Sequence, residues 1–342
     1  MNYPNSDTPM APLRGEEAMD FFARLLPRNP QDVLMSDEEA RWGLISMTER
    51  GTTADEMAAA VVRMRSTMIA IEAPENAIDV CGTGGDGQHT LNVSTAVAIV
   101  VAACGVPVAK HGNRAASSKA GAADTLEALG VNLNIEPNVA EKQLADLGIC
   151  FLFAQNHHPA LKRLAPIRKS IGRPTIFNKV APLANPARVK RQLIGVADEH
   201  ILRGFKPNLW PTLEMERVML VSGGSKDDGT AIDEVSVADA TKINSFGLPL
   251  WVGDEVTPEI AGVSAHPLSA IRGGDAAFNA AALRRLLEGE RGAYRDAVLL
   301  NAAAALIVAG EVDSWHAGVE DAAEAIDKGL ANALLNCWIA WK

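Results

Sequence analysis

Residues 81–90 read CGTGGDGQHT and directly follow the apolar run Ala77-Ile78-Asp79-Val80. Gly82, Gly84 and Gly87 satisfy G-x-G-x-x-G, the spacing of a dinucleotide-binding turn. That turn needs a helix starting within the motif and an acidic residue about 20 positions later, at the end of the next strand. Neither requirement is met. The polar segment from Gln88 to Thr95 delays the helix, which the apolar run predicts over 95–103. The next predicted strand, 106–109, ends in Lys110 and His111, so a cation stands where the acid belongs. Gln88 likewise occupies the position where a Walker A loop carries lysine. What survives is a bend whose glycines, Gly82, Gly84, Gly85 and Gly87, can turn N–H groups toward an anion. Asp86 disfavours a bare phosphate and suggests a sugar hydroxyl, an amide or a metal nearby. Asn92, Ser94 and Thr95 crowd a helix start, where hydroxyls and N–H groups converge on negative charge. An ordinary helix cap after a glycine-rich loop is the alternative on these residues alone.

The second predicted loop, KHGNRAASS from Lys110 to Ser118, also leads into a predicted helix, 120–129. In a parallel sheet, successive strand-to-helix loops emerge at the same carboxyl edge. Both loops therefore face one crevice, bringing Lys110, Arg114, several hydroxyls and two helix starts to a doubly phosphorylated ligand.

Around these loops the chain changes character twice. Ser36-Asp37-Glu38-Glu39 and Thr53-Ala54-Asp55-Glu56 are helix-capping sequences, and Met57, Val61, Met64 and Met68 follow at helical spacing. Ala73-Pro74-Glu75-Asn76 is a linker, after which short apolar strands alternate with helices, with further strands expected at 148–153 and 217–221. The expected class is α/β with a central, mostly parallel sheet. The proline-rich passage 159–186 reads as chain leaving the sheet to rejoin the N-terminal helices, and helices are expected over 276–287, 294–309 and 319–339. His157 and His158 read as the start of a helix, and Asn178 and Asn185 as turn residues. The expected division is a helical domain over 1–72, rejoined by 159–190, and an α/β domain over 73–158 and 191–342.

Composition bounds the partners. The 342 residues are 48% hydrophobic and 22% charged, with a net charge of −10, which disfavours a nucleic-acid backbone. Cys81, Cys104, Cys150 and Cys337 form no metal spacing and read as reduced thiols. The first residues lack a basic flank before an apolar core, and the longest apolar run, 96–109, is interrupted by Gly105 and Pro107. A cytoplasmic protein without a membrane partner is expected.

GTGGDGQHTLNVST at 82–95 and KHGNRAASSKAGAADTLEALG at 110–130 resemble the anthranilate phosphoribosyltransferase family. So do HHPALKRLAPIRKSIG at 157–172, DEVS at 233–236 and LLNAAAALIVAG at 299–310. The resemblance implies the fold of the nucleoside phosphorylase and class-II phosphoribosyltransferase type: a small helical domain and a larger α/β domain, in a homodimer built through the helical domains. It implies transfer of phosphoribose from 5-phosphoribosyl 1-diphosphate to the amine of anthranilate, with Mg²⁺, in two ions, as the second step of tryptophan biosynthesis. Carried over by motif, Gly82, Gly85, Asp86, Thr90, Asn92, Val93, Ser94 and Thr95 would hold the phosphoribosyl diphosphate. Lys110, His111, Gly112, Asn113, Arg114, Ala115, Ala116, Ser117, Ser118 and Ala122 would cover it, with Lys110 stabilising charge. Gly82, Asn113 and Arg168 would position anthranilate, with His111 a possible border to it, and Ser94, Asp233 and Glu234 would bind magnesium. No general base is assigned.

Two departures stand out. The family pattern H-G-x-x-G-x-D-E is replaced by the longer 222–234 segment, which lacks the histidine, and FNKVAPLANP carries Lys179 and Ala181 where an apolar residue and glycine are usual. The alternatives are a divergent relative with another aromatic acceptor, a pyrimidine nucleoside phosphorylase, and a non-catalytic nucleic-acid-binding homologue.

Overall fold

A computed structural model of the chain describes residues 9–29, 31–115, 119–197, 199–225 and 229–341. Three helices come first: α1 (Gly15–Leu25), α2 (Asp37–Arg50) and α3 (Ala54–Thr67). Ser36 Oγ caps α2 by accepting from Glu39 N, and Thr53 and Glu56 cap α3 reciprocally. Strands and helices then alternate as β1 (Ile78–Gly82), α4 (Val93–Ala103), β2 (Val108–Gly112), α5 (Ala122–Leu129), α6 (Pro137–Leu147) and β3 (Ile149–Phe153). The proline-rich region holds α7 (Ala154–His157), α8 (Leu164–Ile171) and α9 (Ile176–Val180). Next come β4 (Arg191–Gly195), α10 (Glu199–Gly204), α11 (Leu209–Thr212), β5 (Arg217–Gly224), β6 (Ala231–Ile232), β7 (Thr241–Phe246) and β8 (Glu255–Val256). The chain closes with α12 (Pro258–Ala261), α13 (Ala276–Leu287), α14 (Ala293–Ala309), α15 (Trp315–Asp327) and α16 (Leu330–Ala340).

The sheet runs β3-β2-β1-β4-β5-β7-β8, with β6 beside β5. The first five strands in that order are parallel, and β6, β7 and β8 pair antiparallel. Strand order reverses between β1 and β4, because the chain moves outward to β2 and β3 and returns on the other side of β1. In such sheets the crevice outside the carboxyl ends at the reversal is the ordinary ligand position.

Period-two alternation divides each central strand between two faces. Ile78, Val80, Leu193, Met219 and Val221 join one core with α4, α13 and α14. Cys81, Ile194, Val218 and Leu220 join a second core with α1–α3, α8 and α9, as do Leu202, Phe205 and Trp210 from the 199–213 region. The proline-rich passage therefore does pack with the N-terminal helices.

Several boundaries differ from the sequence reading. The second strand covers 108–112 rather than 106–109: Pro107 has no N–H for the ladder, whereas Lys110, His111 and Gly112 pair with Phe151, Leu152 and Phe153. α4 starts at Val93, two residues early but still well beyond the glycine turn. α5 starts at Ala122, because Gly121 is extended and its N–H is held by Asp124. His157 ends α7 rather than opening a helix, whereas His158 does directly precede a short 3-10 helix over Pro159–Arg163. The expected 319–339 helix is two helices, since Gly329 takes φ +73°, a conformation that glycine accepts freely, between stretches of continuous helical composition.

Glu56 is buried and bonds Arg50, Thr53 N and Leu13 N, tying the leading segment to α3. Burial raises its pKa, but Arg50 and the two N–H groups outweigh this and leave it lowered. Its stabilising contribution is therefore present at neutral pH and lost as pH falls through that lowered value. Glu56→Gln should cost about 3 kcal/mol at neutral pH and much less in acid, measured by denaturant unfolding at several pH values. An equal loss at every pH would contradict this role.

Candidate active site at the carboxyl edge of β1, β2 and β4

β1 and β4 end on paired glycines, Gly82 and Gly195, and Asp233 fills the space above both. A methyl on Gly82 would strike the Asp233 carboxylate, and one on Gly195 would strike its backbone carbonyl. The Asp233 Oδ2 accepts from Gly84 N at 2.7 Å. Gly84, Gly85 and Gly87 have φ of 65°, 87° and 73°, so this turn requires glycine at three positions. Asp86 Oδ1 accepts from Gln88 N at 3.0 Å.

Asp86, Asp233 and Glu234 thus form one acidic group over the strand ends. Burial, reinforced by the Asp86 charge, pushes the Asp233 carboxyl up to about 7. Burial and then the Asp233 and Asp86 charges push Glu234 well above the usual carboxylate range. Such crowding suits a hard divalent cation. Among the described residues, no three histidines, cysteines or carboxylates are gathered closely enough to hold a metal by themselves. That fits magnesium, which takes one or two carboxylates and completes its shell with water and substrate phosphate.

Lys110 lies inside β2 rather than in a loop, and is 2% exposed. Its Nζ donates to Val80 O at 2.6 Å and Ser94 Oγ at 3.2 Å, placing the ammonium beneath the start of α4. Burial lowers its pKa, opposed by Asp79 and, more weakly, by the crevice acids. Asp79, also buried, accepts from His111 N at 3.1 Å and Gln192 Nε2 at 3.3 Å. The His111 and His158 rings lie 5.1 Å apart, and burial holds His111 well below its ordinary pKa, hence neutral.

Asn92 is a hub. Its Oδ1 accepts from Thr125 Oγ1 at 2.5 Å and Asn279 Nδ2 at 2.9 Å, while Nδ2 donates to Ala120 O at 3.3 Å. Its carbonyl accepts from Tyr294 Oη at 3.2 Å. These bonds join the first loop to α5, α13 and α14. Val93 offers little to a ligand: its side chain is in the core and its N–H bonds Leu91 O. Thr95 is 1% exposed, with Oγ1 unpartnered among the described residues. Thr90 bridges Arg272, and His89, at φ 53°, accepts from Gly273 N, so this strap is pinned to 271–273.

In the second loop, Arg114 is not a free cation. It pairs with Asp124 at 2.9 Å and Glu127 at 2.6 Å, and lies 5.4 Å over the Phe153 ring. Ala115 N is held by Asp124 Oδ2, and Asn113 Oδ1 accepts from Arg114 N. Gly112 lies against Phe151 and Ala122. Ala116, Ser117 and Ser118 fall outside the described residues. Arg168, on α8, donates to Asn178 Oδ1 at 3.1 Å and lies 5.8 Å over Phe177. Among the described residues no hydrogen bond or ion pair joins it to Asn113 or Gly82. Asn178 is not a turn residue but lies in α9, where its Oδ1 caps the helix start by accepting from Thr175 N, whereas Asn185 does serve a turn, accepting from Ala187 N and donating to Ala109 O.

Sequence reasoning missed β4 and Gly195, although Gln192-Leu193-Ile194-Gly195 repeats the apolar-run-then-glycine form of β1. It also missed Asp79, Thr125, Asn279 and Tyr294, which no local spacing marks.

The sequence profile described as "Glycosyl transferase family, a/b domain" matches residues 74–332. The chain belongs to that family. A relative from Novosphingobium aromaticivorans, named anthranilate phosphoribosyltransferase, is 57% identical over 97% of each chain. The crystal structure of the anthranilate phosphoribosyltransferase from Thermus thermophilus superposes with a TM-score of 0.86, at 36% identity over 96% of this chain and 95% of that one. The Saccharomyces cerevisiae enzyme, in complex with PRPP and Mg, gives 0.82 at 26% identity over 95% and 92%. Within the family, the chain is thus one of the anthranilate phosphoribosyltransferases.

Asn279 is 2% exposed and holds both Asn92 and Gly274 N. Asn279→Ala should cost about 1–3 kcal/mol in denaturant unfolding, since two half-buried partners each lose a bond from a buried amide. No shift in the midpoint would show that water replaces the amide without cost.

Proposed function

We propose that the crevice over Gly82, Gly195 and Asp233 binds 5-phosphoribosyl 1-diphosphate and anthranilate, and that the chain transfers phosphoribose to the anthranilate amine, releasing diphosphate. The reading is carried by one observation: at the sheet's reversal point Asp233 sits on the strand-end glycines and holds the glycine turn, with the buried Lys110 bonded to Ser94 at the start of α4. The bond from ribose C1 to the diphosphate oxygen breaks and a C1–N bond forms, and the amine gives up a proton. Its nitrogen is already a neutral nucleophile, so the protein's work is positioning and charge stabilisation. Uncapped N–H groups at the start of α4 and Ser94, beside Lys110, suit the phosphate groups. Asp233, Glu234 and Ser94 would hold magnesium, in two ions with Asp86 nearby. When bound, magnesium neutralises charge on the leaving diphosphate. Arg168 would clamp the anthranilate carboxylate, a match for a planar guanidinium.

The enzyme would act as a homodimer through the helical layer, where Met19, Val33 and Leu34 are exposed. Its four cysteines are free, which suits the reducing cytoplasm.

Mixing the protein with anthranilate, Mg²⁺ and 5-phosphoribosyl 1-diphosphate should extinguish anthranilate fluorescence. No loss at high enzyme concentration would refute the assignment, and phosphate-dependent cleavage of uridine would select the phosphorylase. Arg168→Ala should weaken anthranilate by about 2–4 kcal/mol, on the order of a hundredfold in KM, and affect the other substrate far less. Equal losses would contradict the clamp. Asp233→Asn combined with Glu234→Gln should shift the Mg²⁺ titration of activity to higher concentration; an unchanged titration would remove these residues from the metal site.

A further inference from the structure

The parallel ladder beneath the crevice is uneven. β1 pairs with β4 from Ile78 to Gly82, and β2 pairs with β3 from Val108 to Gly112, but β1 and β2 pair only at Ile78 and Val108. Ile78 N donates to Pro107 O at 2.9 Å. From there a continued ladder would join Val80 N to Ala109 O and His111 N to Val80 O. Side chains take these places instead. Asn185 Nδ2 donates to Ala109 O at 2.8 Å, His111 N donates to Asp79 Oδ1 at 3.1 Å, and Lys110 Nζ donates to Val80 O at 2.6 Å. Asp79, Lys110 and Asn185 are all buried.

Taking a carboxylate and an ammonium out of water carries a desolvation cost that two further backbone rungs would not. Burial raises the Asp79 carboxyl, and the Lys110 charge is the largest influence against it. The substitution falls on the half of the two strands nearest the crevice. Lys110 Nζ also reaches Ser94 Oγ at 3.2 Å, at the start of α4, and His111 stands at the root of the second loop. Gln192 Nε2 bonds both Asp79 Oδ2 at 3.3 Å and Pro182 O at 2.9 Å, which fixes the orientation of the carboxylate. Without Asp79 Oδ1, His111 N would turn to Val80 O, its ordinary ladder partner, and displace the Lys110 ammonium from it.

We infer that Asp79 is a positioning residue for the transfer: by holding His111 N it keeps the ladder between β1 and β2 open, and so keeps Lys110 seated between Val80 O and Ser94 beneath the phosphate groups. It acts through those two residues and does not itself touch substrate. This role rests on the assignment of the crevice to 5-phosphoribosyl 1-diphosphate.

Steady-state kinetics of Asp79→Ala, Asp79→Asn and Asn185→Ala, with rates expressed per folded molecule, test this. Asp79→Ala should raise KM for 5-phosphoribosyl 1-diphosphate about tenfold, the worth of one hydrogen bond to a charged group. KM for anthranilate should move far less, because Arg168 lies on α8, outside the gap. Asp79→Asn keeps an oxygen for His111 N and should recover most of the affinity. Asn185→Ala frees Ala109 O for the other missing rung and changes no charge. It should shift the same KM in the same direction, which keeps the test valid should the Asp79 variants fold poorly. Loss of folded protein with an unchanged KM for 5-phosphoribosyl 1-diphosphate, in Asp79→Ala or in Asn185→Ala, would overturn the inference. So would Asp79→Asn as damaging as Asp79→Ala, which would make the charge of the carboxylate and not its bond to His111 the effective element. No transfer by the wild type would remove the assignment of the crevice, and this role with it.

Discussion

Asp233 sits where a side chain on either neighbouring strand would forbid it. Gly82 and Gly195 face each other across β1 and β4, and the gap left by two absent Cβ atoms admits one aspartate. The bond from Gly84 N then fixes the glycine turn to that aspartate, so a residue more than a hundred positions away shapes the first loop. The same close approach shields the carboxylate from part of the solvent and sets it against Asp86, and both raise its proton affinity. Burial of like charges is unfavourable on its own. It becomes useful where a cation is to be bound together with a substrate that carries phosphates.

Much of this arrangement was legible in the chain and some was not. The late helix and the cation after the second strand excluded a dinucleotide turn, and the parallel β1–β2 pair does bring both loops to one edge. Where the strand ends was less legible. Lys110 and His111 look like loop residues because their charge and polarity suggest solvent, yet pairing with β3 draws both into the sheet. Arg114 looked like a free cation for the same local reason; its acidic partners lie ten and thirteen residues downstream, on a helix whose facing was not fixed by the motif. Asn92 was visible as a polar residue at a helix start, but its partners Thr125, Asn279 and Tyr294 come from three later helices. Long-range partnership of that kind has no period to read.

Lys110 and Asn92 stabilise the site in different ways. The lysine brings a charge into the sheet, where Asp79 and the Val80 carbonyl offset part of the desolvation cost. The asparagine brings no charge; its side-chain amide holds the loop in register with α5 and α13, and its backbone carbonyl ties it to Tyr294 on α14. A ligand meets an electrostatic field from one and a rigid boundary from the other.

The two loops are held by interactions of opposite sensitivity to the solvent. Asp233 is half-buried over the strand ends and holds the first loop through a bond from an uncharged backbone N–H. Arg114 and Glu127 are exposed, with 42% and 43% of their side chains open to the medium, while Asp124 is half-buried. Mobile ions shorten the reach of exposed charges and leave enclosed ones nearly untouched. Ionic strength therefore acts on the crevice unequally, loosening the second loop's anchor while the first loop keeps its shape.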